Sequence, residues 1–129
     1  MATLLKSGLE IEPFDAALGA RVSGLDLSQP LDDATRKTLT DAWHEHLMLL
    51  FSGQDLTQDQ QLAFAANFGT LGTRSRDASR RPEGADYHEG VMLVGNIKDE
   101  KGNYTASLPD GEMYFHYDMC YIAAPHRGT

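Results

Sequence analysis

The chain has 129 residues, a net charge of −8 at pH 7 and 41% hydrophobic residues. That is enough for one domain with a core but not for two, and the acidic balance argues against a general nucleic-acid or anionic-membrane binder. No apolar run approaches a membrane span, residues 1–6 lack a signal-peptide layout, and the single cysteine, Cys120, rules out an internal disulfide, in keeping with a reducing cytoplasm.

Leu9 to Glu12 alternate apolar and polar and read as a strand, stopped by Pro13. Gly19-Ala20-Arg21-Val22-Ser23-Gly24-Leu25-Asp26-Leu27 reads as a short strand and a turn, and Ser28-Gln29-Pro30 breaks the pattern. Asp32 or Asp33 then caps a helix that runs to about His46, with Leu39, Ala42, Trp43 and His46 on one face. Arg36, Lys37, Asp41 and Glu45 fall on its solvated side. His44 and His46 lack further metal ligands at helical spacing and read as structural or exposed.

Leu47 to Phe51 is a continuous apolar run bounded by Ser52-Gly53, which predicts a buried strand. Thr57-Gln58-Asp59-Gln60 has the capping-box pattern and opens a second helix carrying Leu62, Ala65, Ala66 and Phe68, stopped at Gly69. From Thr70 to about Gly90 the chain turns polar, with Arg74, Arg76, Arg80 and Arg81. The stretch reads either as a solvated loop or as a lid whose arginines meet an anionic substrate. Tyr87 and His88 in it carry no separate signal. Val91 to Val94 is expected to be a buried strand ending at Gly95-Asn96, and residues 99–103 a turn.

Glu112 to Tyr121 is aromatic and apolar and predicts a strand. On it, His116 and Asp118 would share a face, roughly 6.6 Å apart along the chain. Leaning together, an imidazole and a carboxylate can meet one metal ion through bonds of about 2 Å. On a helix the pair would point about 200° apart. Tyr114, Cys120 and Ile122 share this face, and Met113, Phe115, Tyr117, Met119 and Tyr121 form the other, expected to be buried against a second layer. Taken alone, a His-x-Asp triplet is short and common, and more often describes a hydrogen-bonded core histidine beside a turn-capping aspartate. Cys120 reads first as a small buried hydrophobe.

The order of these pieces resembles the N-terminal half of the taurine dioxygenase and 2,4-dichlorophenoxyacetate dioxygenase family. The resemblance runs from residue 9 to residue 129. It is carried by residues 19–27, Pro30-Leu31, Leu49-Leu50-Phe51, Leu56-Thr57-x-x-Gln60, Phe68-Gly69-x-Leu71-Gly72, and Phe115-His116-Tyr117-Asp118 followed by Tyr121 and Pro125. It implies a mostly β domain with flanking helices, the N-terminal part of a distorted double-stranded β-helix (jelly roll). Residues 1–129 are then the N-terminal portion of a single dioxygenase domain, an incomplete one, and the chain is expected to be a fragment of a longer polypeptide that alone binds iron weakly and turns over nothing.

The resemblance further implies Fe(II) held by a 2-His-1-carboxylate triad, with open positions for 2-oxoglutarate and O2. His116 and Asp118 are the first two ligands and the catalytic pair. The distal His and the arginine that holds 2-oxoglutarate lie later in the family pattern, and none of His44, His46, His88 or His126 stands in the right context, although His126-Arg127 imitates the pairing. The implied reaction hydroxylates a small anionic substrate, a sulfonate or a carboxylate, as 2-oxoglutarate becomes succinate. Asp118 argues against halogenation, for which related enzymes replace this carboxylate. Arg74 stands about where taurine-type members carry a substrate-contacting His, and Phe115 where Trp is common. Arg74 and Asn96 are therefore the candidate substrate contacts, with Asn96 also readable as a turn residue. The competing reading is a truncated non-catalytic relative, a binding or structural partner that completes its barrel in a homo-oligomer.

Overall fold

In the computed structural model, residues 3–4, 8–72, 90–111, 114–116, 118, 119, 121–123, 125 and 128 are described. They fall into two compact units, residues 1–71 and 72–129.

The first unit is a four-stranded sheet with two helices. Its strands are β1 (Thr3–Leu4), β2 (Glu10–Pro13), β3 (Ala20–Ser23) and β4 (Leu49–Phe51), in that order across the sheet. β2 runs antiparallel to both β1 and β3, and β4 runs parallel to β3. A parallel pair needs a long crossover, and helix α1 (Asp33–His46) supplies it. The predicted strands at 9–12 and 19–27 and the helix to His46 are present. The apolar run 47–51 shortens, because Leu47 becomes the left-handed C-cap of α1 (φ 65°), its N–H donating to the Trp43 carbonyl at 2.7 Å. Leu50 is exposed, so β4 is not buried on both faces as expected.

Local chemistry sets the helix starts. The Asp32 carboxylate accepts from the Thr35 N–H at 2.6 Å, and that bond holds its pKa below the ordinary carboxylate value. Thr57 and Gln60 make both bonds of the capping box at the start of α2 (Gln58–Ala65). α2 tightens into a 3₁₀ turn, Ala66–Phe68, before Gly69. The core gathers Leu9, Val22 and Leu39, all buried, with Ile11, Leu49, Phe51, Phe64 and Phe68 packed against them. Phe64 stacks edge-on with Phe51 and Phe68 at 5.4 and 5.3 Å between ring centres. The predicted apolar face of α2 thus turns on Phe64, while Ala65 and Ala66 are exposed. Gly24 (φ 76°) is required by close approach: a Cβ there would lie 2.0 Å from the Gly8 carbonyl oxygen.

In the second unit the expected buried strand at 91–94 is not formed among the described residues. Val94 makes an isolated parallel bridge to Ser107, and Met92 and Val94 are half exposed. Two or more consecutive ladder partners make a strand, and one bridge does not. The turn at 99–103 is present. The Asp99 carboxylate accepts from the N–H groups of Lys101 and Asn103, and Gly102 adopts φ 84°. Ala106 and Ser107 are buried. No helix among the described residues is long and apolar enough to cross a membrane.

Candidate metal centre

The predicted strand at 112–121 is not what positions His116 and Asp118. Its described residues run as bends and a turn, with Met119 at φ 55° and the Ile122 N–H donating to the Met119 carbonyl at 3.2 Å. Phe115 is fully exposed and Tyr121 largely so, which corrects the expectation of a buried back face. A strand is stable when a neighbour pairs its backbone, and these residues show no ladder partner among those described.

The pair nevertheless converges. His116 Nε2 lies 3.1 Å from Asp118 Oδ1, and the side chains are 53% and 43% exposed, so the site is open to solution. The other ring nitrogen is also engaged: His116 Nδ1 is 2.8 Å from the Tyr114 carbonyl oxygen. A carbonyl can only accept, so Nδ1 carries the proton of that bond. That leaves Nε2 to bind either a second proton, shared with Asp118, or a metal. The imidazole pKa is raised, first by the Tyr114 carbonyl and then by the Asp118 charge.

The geometry fits an ion. Two donors each about 2.1 Å from one ion and at right angles across it are about 3 Å apart, and the observed separation is 3.1 Å. The donor types, imidazole nitrogen and carboxylate oxygen, are those a 2-His-1-carboxylate facial triad uses. Among the described residues no third His, Cys, Asp or Glu joins them. His44 lies against the Trp43 ring on α1 in the first unit.

The remaining predicted residues divide. Asn96 is described and exposed, between the bridging residues Val94 and Lys98 rather than at a strand end. Arg74, Arg76, Arg80, Arg81, Tyr87 and His88 lie outside the described residues, as do Met113, Tyr117, Cys120, His126 and Arg127. The feature that sequence reasoning missed is the Tyr114 carbonyl. Every residue carries one, so residue types hold no trace of it.

Comparison with known proteins bears on the chain as a whole. The chain is 32% identical over 134 residues to the (S)-phenoxypropionate/alpha-ketoglutarate-dioxygenase of Delftia acidovorans, which takes in 97% of this chain and 41% of the relative. It is 34% identical over 126 residues to the enzyme of the same name from Sphingobium herbicidovorans, covering 97% and 40%. The chain thus spans about two fifths of the length of these relatives. Among solved structures, a taurine dioxygenase from Burkholderia xenovorans superposes with a TM-score of 0.52 at 30% identity, over 63% of this chain and 28% of that one. Residues 10–129, which include the His116–Asp118 pair, strands β2 to β4 and both helices, match the taurine catabolism dioxygenase TauD, TfdA family, and the chain belongs to that family.

Proposed function

We propose that this chain supplies the first two iron ligands of an Fe(II)- and 2-oxoglutarate-dependent dioxygenase, within the N-terminal part of a jelly roll. The carrying observation is the 3.1 Å approach of His116 Nε2 to Asp118 Oδ1, with Nδ1 engaged by Tyr114. In this reading Nε2 and Oδ1 ligate the ion. Tyr114 fixes the imidazole tautomer and plane, so that the lone pair is aimed before the metal arrives. Asp118 neutralises one unit of the ion's charge. Iron with 2-oxoglutarate supplies oxidative decarboxylation to succinate coupled to hydroxylation of a substrate C–H bond. The substrate is a small organic anion, and the names of the relatives favour a carboxylate of the aryloxyalkanoate kind over a sulfonate. Arg74 is the proposed anion contact and Asn96 a second substrate contact. The reducing cytoplasm suits both Fe(II) and the lone thiol of Cys120.

The test has two parts. Fe(II) titration of the 129-residue chain under anaerobic conditions should show one site that His116→Ala and Asp118→Ala each remove. In the protein that carries this chain, Fe(II)-dependent succinate formation from 2-oxoglutarate should vanish in Asp118→Ala. Iron binding that survives both substitutions sinks the reading.

A further inference from the structure

Residues 93–111 hold a second polar arrangement, one the metal pair does not use. Lys98 and Tyr104 face each other across an antiparallel bridge, and Lys98 Nζ sits 4.5 Å from the centre of the Tyr104 ring. The Tyr104 hydroxyl donates to Asp110 Oδ2. One ring is thus held on its face by a cation and at its tip by a carboxylate.

The backbone before this point is well tied. Thr105 N–H donates to the Ile97 carbonyl at 3.0 Å, and buried Ser107 donates its N–H to the Leu93 carbonyl at 2.9 Å and accepts from Gly95 N–H at 3.2 Å. Past Ser107 the chain bends at Leu108 (φ 54°) and Gly111 (φ 110°), then reaches Tyr114. Among the described residues of 108–111, Asp110 is the one whose side chain ties back to the hairpin.

We propose that the Lys98–Tyr104–Asp110 latch presents the Tyr114–Asp118 segment for metal ligation, with Tyr104 and Asp110 as positioning residues of the metal pair. The inference rests on the metal-binding reading above. Without the latch, no side-chain tie among the described residues of 108–111 holds the tether between the Ser107 anchor and the Tyr114 carbonyl. A longer free tether costs more entropy to close, and two ligands must arrive together at one ion. The latch lies at the surface, where a single hydrogen bond adds little to global stability. Its loss therefore shows in metal affinity rather than in unfolding.

Co(II), used as an oxygen-stable probe, tests this on the 129-residue chain. Its visible ligand-field band reports affinity, and the ring-nitrogen NMR shifts of His116 in the metal-free chain report the tie to Tyr114. Tyr104→Phe and Asp110→Ala should weaken Co(II) binding about three- to tenfold and move those shifts, at unchanged Tm. Asp110→Asn keeps an acceptor oxygen and should restore both. Wild-type affinity in Tyr104→Phe and Asp110→Ala, with binding lost in His116→Ala, overturns the latch and leaves the metal site standing. Undiminished binding in His116→Ala overturns the metal site, and the latch with it. Should Tyr104→Phe fail to fold, Asp110→Ala decides, because that side chain is exposed.

Discussion

His116 is engaged at both ring nitrogens, by a backbone carbonyl and by a carboxylate. Both raise its pKa, the Tyr114 carbonyl most and the Asp118 charge next, above the ordinary imidazole value of 6.5. The sign follows from linkage. The protonated pair favours the folded chain fully below the ordinary value, and that contribution is lost as pH rises through the raised one. The proposed metal binding would run the other way, because the ion would compete with the proton for Nε2, so affinity should fall as pH falls through the raised value. An NMR titration of the metal-free chain should place the His116 midpoint above 6.5, and Asp118→Asn should bring it down. A midpoint at or below 6.5 in the unsubstituted chain contradicts this account. The residue types of the two proposed ligands, an imidazole and a carboxylate two positions apart, were legible in the sequence. Their geometry was not: the i and i+2 groups meet through a bend hooked on Tyr114, where strand alternation had been expected.

At the scale of elements, what was legible is what local chemistry decides. Asp32 and Thr57 announce their helices because a cap needs only its own next three residues. The strands predicted at 91–94 and 112–121 depend on partners far along the chain, and an aromatic or β-branched run cannot say whether a partner comes. Close backbone approach is equally silent until the fold is known, and Gly24 offers a test of it. Gly24 and Gly53 have nearly the same φ, 76° and 71°, so an Ala at either pays a similar left-handed penalty of about 1–2 kcal/mol. At Gly53 the new methyl meets open space, whereas at Gly24 it would meet the Gly8 carbonyl at 2.0 Å. Urea denaturation should show Gly24→Ala to be less stable than Gly53→Ala by at least about 1 kcal/mol. Equal losses would mean that the Gly8–Gly24 approach is not kept in solution.

Across the whole molecule, the second unit leaves large apolar side chains in water. Ile97, Tyr114, Phe115 and Tyr121 are each more than two thirds exposed. Such surface binds hydrophobic dyes and associates when charge repulsion is weak. The net charge of −8 opposes association at low salt, and screening shortens its reach to about 10 Å near 0.1 M. Light scattering should therefore rise with ionic strength, and Phe115→Ser should lower both dye fluorescence and scattering while Tm holds. Scattering independent of salt would show that charge does not set solubility here.

The sheet also joins two kinds of pairing with unequal histories. β2 meets β3 across the short connection 14–19, whereas β4 reaches β3 only after the chain has travelled through α1. Nearby contacts close quickly and distant ones late. Refolding is therefore expected to be ordered in time: the ribbon of β2 and β3 and the α1 helix should form first, and β4 should join the sheet after them. Substitutions at Leu49 would consequently accelerate unfolding and leave the refolding rate nearly untouched.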